Sequence, residues 1–206
     1  MFVVKGKKQE ICEKLVKKIE LVIHIDNNDL NIEADFKSKM GYNSSTSISL
    51  KVPHRLKIEC ESMNGGIFVE NITGEVELET TNGGIKCENV SGGVVVETVN
   101  SGVSLTNIEG NTIAKTVNGG LFAEFSKTTP DQVSLETVNG RVSVMLCKHS
   151  QRKVHASTIN GSLKISGKKV PKTGFFKKSY SMNFGDGNGE YNFSTVNGSV
   201  NIELPD

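Results

Sequence analysis

The sequence predicts an all-β fold, a parallel β-helix (β-solenoid) of about seven 18-residue coils with an N-terminal β cap. Three observations carry this expectation. Asn-Gly or Asn-Ser pairs recur at regular spacing, the segments between them alternate apolar and polar residues, and residues one period apart are of one type.

The pairs begin at Asn64, Asn82, Asn100, Asn118, Asn139, Asn160 and Asn197, with spacings of 18, 18, 18, 21, 21 and 37. A fixed period of this length is the signature of a repeat architecture. Units starting at Glu61, Glu79 and Glu97 align without a gap: ESMNGGIFVENITGEVEL, ETTNGGIKCENVSGGVVV and ETVNSGVSLTNIEGNTIA. A fourth starts at Lys115, and eroded copies follow as ETVNGRVSVML, STINGSLKISG and STVNGSVNIEL. Within each unit a weaker period of nine makes each half a turn plus one short strand. Successive side chains leave opposite faces of a strand. Ile67, Val69, Ile72, Val76 and Leu78 are therefore expected to face inward, as are Ile85, Cys87, Val90, Val94 and Val96, with Phe68, Glu70, Glu75 and Glu77 outward.

Such a unit suits either a solenoid or an antiparallel meander with Asn-Gly hairpins. The columns favour the solenoid. In a parallel stack each residue lies about 4.8 Å from its equivalent in the next coil, so like falls on like: Asn on Asn, and Ser62 on Thr80, Thr98, Thr116 and Thr137. A meander would relate neighbours by reflection about each turn and would give no reason for identical types 18 apart. The glycines after each Asn fit corners of positive φ.

The repeat occupies residues 58–206, and residues 1–57 are expected to form the cap. In that segment IELVIHIDNNDLNIEADF and STSISLKVP alternate as strands, with a polar turn at Asp26–Asp29, while Lys8–Lys18 reads equally as a short helix or a strand. The 37-residue interval between Asn160 and Asn197 holds either one eroded coil or an inserted loop. It carries the only concentration of one charge, Lys168, Lys169, Lys172, Lys177 and Lys178 around Phe175 and Phe176, with Pro171 and Gly174 marking a loop. These seven Lys and Phe residues are the candidate partner surface. The following GDGNGEY reads as a tight turn before Tyr191-Asn192-Phe193.

No catalytic, cofactor or metal site is expected. The four cysteines, Cys12, Cys60, Cys87 and Cys147, have no CxxC spacing. Three of them fall on inward columns: Cys60 with Leu78, Cys87 with Val69, and Cys147 with Ile72. Free thiols are expected, hence a reducing compartment. His24, His54, His149 and His155 are scattered, and no serine sits in a nucleophile elbow. Glu61, Glu79 and Glu97 form one column and Glu70 and Glu88 another, repulsive unless relieved, and Lys115 continues the first. A net charge of +1 supplies no field for nucleic acid. No apolar run approaches the roughly 20 residues of a membrane span, and MFVVKGKKQE does not read as a secretory leader. On these grounds a cytoplasmic location is expected.

The repeated [ST]-x-N-G-[GS]-[IV]-x-[VL] units, the N-[IV]-x-G half-turns and the ending GDGNGEYNFSTVNGSVNIEL resemble the bacterial adhesin-type Toast-rack family of β-strand-repeat domains, over residues 45 to 206. The resemblance implies a β-helix of short strands, association with the cell envelope, and no catalytic residues to carry across.

The expected function is thus a non-enzymatic binding or scaffold module whose flat faces contact a protein or glycan, as a monomer or an end-to-end oligomer. The alternatives are a filament-forming structural protein and, less favoured, a polysaccharide-processing β-helix enzyme.

Overall fold

The computed structural model describes residues 2–6, 20–26, 29–35, 42–46, 49–125, 130–147, 152–166, 168–169, 178–183 and 189–204, with the strands before residue 49 and residues 168, 169 and 182 described by backbone alone. The chain divides into two compact units, Met1–Val52 and Pro53–Asp206.

In the first unit, β1 (Phe2–Gly6) pairs antiparallel with β4 (Tyr42–Thr46), and β2 (Glu20–Asp26) pairs antiparallel with β3 (Asp29–Asp35). The hairpin expected at Asp26–Asp29 is formed. Residues 49–53 of STSISLKVP, by contrast, lie in no strand; the strand falls earlier, at Tyr42–Thr46. The Lys8–Lys18 segment lies outside the described residues.

The second unit is the solenoid. Its coils, in chain order, are β5 (Ile58–Ser62) with β6 (Ile67–Ile72), β7 (Val76–Thr80) with β8 (Ile85–Val90), β9 (Val94–Thr98) with β10 (Val103–Ile108), β11 (Thr112–Thr116) with β12 (Leu121–Glu124), and β13 (Gln132–Thr137) with β14 (Val142–Met145). Then come β15 (Arg152–Asn160) with β16 (Leu163–Ile165), the edge strands β17 (Lys168–Lys169) and β18 (Lys178–Asn183), and finally β19 (Gly189–Asn197) with β20 (Val200–Glu203). The odd members of the coils form one parallel sheet and the even members another. Each register places residues one repeat apart side by side, as Glu79 beside Glu97 and Ile67 beside Ile85.

The coils do not stack in chain order. Spatial order in the first sheet is β18-β15-β19-β13-β11-β9-β7-β5, and in the second β17-β16-β20-β14-β12-β10-β8-β6. The last coil of the chain is therefore inserted between the fifth and the sixth. β17 and β18 run antiparallel to β16 and β15 and close the far edge. The 37-residue interval is accordingly neither an eroded coil nor a plain loop: it contains this reversing edge pair.

Inward positions of the strands are mostly apolar and buried, as in Val76, Leu78, Ile85, Cys87, Val94 and Val96. Where the chain turns from β6, β8 and β10, Asn71, Asn89 and Asn107 take φ of 59, 55 and 56°. This one left-handed residue delays the inward side chain by a position, so Ile72, Val90 and Ile108 are the ones buried. Later coils lack that Asn, alternation runs on unbroken, and Phe125 and Leu146 are buried instead. Cys147, expected on the Ile72 column, is consequently only half-buried, as is Cys60 on the edge strand β5.

The glycines after the ladder asparagines correct a second expectation. None of them has φ in the left-handed region; Gly83, Gly119, Gly140, Gly161 and Gly198 are required by close backbone approach. A methyl group on Gly83 would sit 2.0 Å from the Gly65 carbonyl oxygen, and one on Gly119 would sit 1.9 Å from that of Ser101.

Candidate binding faces

Among the described residues, three sets of side chains on the solenoid surface bear on binding. The first is the corner built by Thr-x-Asn-Gly. The threonines point inward, yet each hydroxyl donates to a backbone carbonyl of the adjoining corner: Thr98 to Gly83 at 3.1 Å, Thr137 to Gly119 at 2.9 Å, Thr195 to Gly140 at 3.0 Å. The asparagines form a continuous ladder in which each side-chain amide donates to the previous carbonyl, through Asn64, Asn82, Asn100, Asn118, Asn139, Asn197 and Asn160 at 2.8–3.0 Å. Stacked amides satisfy one another in this way only in a parallel, in-register arrangement. Between the two ladders stands an exposed aliphatic ridge, Val99, Val117, Val138, Val196 and Ile159.

The second is the outer face of the first sheet. Here Glu61, Glu79 and Glu97 share a column as expected, and Lys115 Nζ meets Glu97 Oε1 at 3.1 Å. Beside that column the neighbouring one changes character. Glu59 and Glu77 give way to Val95 and Ile113, adjacent in register and 37% and 41% exposed. They floor a shallow groove of about 470 Å³ that crosses six coils, from Lys57 and Glu75 at one end to Glu190 and Asn192 at the other. Its ends are charged. Lys57 pairs with Glu59 and lies 3.7 Å from Glu77, and the hydrogen bond to Glu59 is the leading cause that raises its pKa. At the other end Asn192 donates to Glu190 at 3.3 Å, and His155 Nε2 lies 3.8 Å from the same carboxylate. In the middle the wall is neutral: Asn111 Oδ1 accepts the backbone N–H groups of Asp131 and Gln132 at 3.1 and 3.0 Å. Such a surface can hold an extended ligand by apolar contact at its centre and by hydrogen bonds at its rims.

The third is the outer face of the second sheet, where Phe68 is exposed with Lys86 Nζ 5.2 Å from its ring centre. Phe122 and Met145 are exposed further along.

Of the expected partner surface, Lys178 has its ammonium tied to the Gly161 carbonyl at 2.6 Å. The backbones of Lys168 and Lys169 form β17, and Lys172, Phe175, Phe176 and Lys177 lie outside the described residues. Sequence reading passed over the groove, although its signal was present: the outward position of the repeat is Glu in VELET but Val in VVVET and Ile in TIAKT. Among the described residues no three His, Cys, Asp or Glu side chains are grouped to hold a metal ion, and no helix is long and apolar enough to cross a membrane.

Residues 4–203 match the family model Toastrack DUF4097. The chain belongs to the Toastrack family. The match begins well before residue 45 and includes β2, β3, β4 and part of β1, so this Toastrack chain is a family member over nearly its whole length. No curated protein and no solved structure matches it.

Proposed function

We propose that this protein is a non-enzymatic binding or scaffold module and that its ligand, a protein segment or a glycan, lies along the stacking axis in the groove of the first sheet. The observation that carries the reading is the exposed Val95–Ile113 pair, where an outward column that begins with Glu59 and Glu77 and ends with Ser134, Asn192 and His155 turns aliphatic. A flat wall repeated every 4.8 Å or so favours extended contact over enclosure of a reacting atom. The stacked carboxylates Glu79 and Glu97 support the same reading, since they stand side by side on one exposed strand face and do not flank a cleft, as acid and nucleophile must in sugar hydrolysis. The filament alternative is disfavoured by β17 and β18, which end the stack with reversed strands and offer no parallel edge there.

A glycan array and a peptide library screened with the wild type and with Val95→Asp/Ile113→Asp test this. Specific binding that falls at least tenfold in the double variant is expected. Unchanged binding by the variant, or turnover of a substrate by the purified wild type, would overturn the reading.

A further inference from the structure

The inserted last coil differs from the other coils in one respect: the coils on either side of it, β13 with β14 and β15 with β16, follow one another directly in the chain, so removing it leaves them joined as well as matched to each other. Through β19, Val154 is aligned with Val133, Ala156 with Leu135, Thr158 with Thr137, and Ser157 with Glu136. Through β20, Leu163 is aligned with Val142 and Ile165 with Val144. Every inward column therefore stays aliphatic or threonine if β15 and β16 move up by one strand spacing onto β13 and β14. The Asn ladder would also close, Asn160 onto Asn139. Arg152 sits opposite Gly189, on which a methyl group would lie 2.5 Å from the Asp131 carbonyl oxygen, so the pairing of Arg152 with Asp131 is compatible with the same move.

We propose that the coil formed by β19 and β20 is a removable insert, and that the chain holds a second strand order in which β15 and β16 close directly onto β13 and β14. Chain order favours the second arrangement first, because residues 152–165 are synthesised before residues 189–203 and are separated from β14 by only residues 146–151. What selects the inserted order is specific to the insert. Tyr191 and Phe193 are fully buried, the Tyr191 ring lies 6.2 Å from that of Phe125, and its hydroxyl donates to the Pro130 carbonyl at 3.0 Å. Arg152 reaches across Gly189, donating to Pro130 O at 3.0 Å and to Asp131 at 2.9 Å, a contact that both orders allow, so the choice between them rests on Tyr191 and Phe193. Withdrawn, the same segment is an extended strand pair with Tyr191 and Phe193, then Val200 and Ile202, on one face. That is the chemistry of a strand that adds to an exposed sheet edge.

Amide hydrogen exchange on the unmodified chain tests the proposal. Residues 189–203 are expected to exchange at least tenfold faster than residues 152–165, although they lie inside them, because the outer coil re-pairs when the inner one leaves. A solenoid that merely frays would lose residues 152–165 first. Equal protection of the two segments, or faster exchange of 152–165, overturns the proposal.

A second measurement uses Glu136→Cys/Ser157→Cys, whose positions stand two strands apart, about 9.6 Å, in the inserted order, beyond the roughly 7 Å that a disulfide tolerates. Mild oxidation is expected to join the two introduced thiols at least tenfold faster when Tyr191→Ala is added. The same rate in a variant that keeps its β-sheet circular dichroism overturns the proposal. Should that variant unfold, the exchange experiment on the unmodified chain decides.

Discussion

The side-chain amide of Asn197 donates to the carbonyl oxygen of Asn139 at 2.9 Å across 58 residues of chain, while Asn160, much closer to Asn139 in sequence, bonds to the far side of Asn197. This pair records in one contact both the parallel stacking of the coils and the insertion of the last one. It also shows that the ladder is continuous in space where it is broken in sequence.

The threonine ladder ties each coil to the next through a buried hydroxyl. Thr98 is 4% exposed and donates to the Gly83 carbonyl. Thr98→Val keeps the shape and leaves that carbonyl without its partner, so a loss of about 1–3 kcal/mol is expected in urea unfolding. Thr98→Ser retains the donor and is expected to lose less. Equal effects of the two substitutions would deny the hydroxyl this role.

Two adjacent glycines should behave oppositely. Gly83→Ala forces a methyl group to 2.0 Å from the Gly65 backbone oxygen, whereas at Gly84 the nearest atom, the Gly102 oxygen, is 3.5 Å away. The first substitution is expected to cost more than about 4 kcal/mol, and the second to stay within about 0.5 kcal/mol of the wild type. Thermal unfolding of the two single variants separates them, and similar stabilities would contradict the close approach of the coils.

Stability should fall in alkali in a defined window. Burial pushes the Cys87 thiol from 9.0 up to about 12 and the Tyr191 phenol from 10.0 up to about 12. Both values are raised on folding, so their contribution is full below pH 9 and is lost as pH rises towards 12, where the unfolded chain releases protons that the folded chain retains. At about 1.36 kcal/mol per unit, Cys87 accounts for about 4 kcal/mol of that loss. Cys87→Val, which matches Val69 and Leu105 in the same column, is expected to shrink the loss between pH 9 and pH 10 in urea midpoints measured against pH to the share of Cys60, whose thiol burial also raises. An undiminished loss in that interval would remove Cys87 as a cause.

Tyr191→Phe isolates the phenol from the ring. The hydroxyl donates to the Pro130 carbonyl inside the core, and its loss is expected to cost about 1 kcal/mol near neutral pH. It should also abolish the tyrosine share of the alkaline loss. No change in either would show that the ring alone holds the insert.

The solenoid was legible because its cause is local and repeated: each residue type sits on its own kind one coil away, and the period of 18 can be read without coordinates. The stacking order of the last coils was not legible. Strands β15 and β19 carry the same STxNGS signature, so their columns fit β13 equally well, and the two orders are distinguished by Tyr191, packed on Phe125 and bonded to the Pro130 carbonyl, with Phe193 beside it. Periodicity could not show that the corner glycines serve contact between backbones, nor that the left-handed residues are Asn71, Asn89 and Asn107. The groove was overlooked for a different reason. Val95 and Ile113 are ordinary residues for a strand, and they become a surface only once the register puts them side by side facing water.

Methyl–methyl nuclear Overhauser contacts along the exposed ridge test the stacking most directly. Val196 is expected to contact both Val138 and Ile159, with Val138 and Ile159 about 9.6 Å apart and showing no contact of their own. A strong Val138–Ile159 contact, with Val196 touching Ile159 alone, would place the coils in chain order and contradict the inserted arrangement.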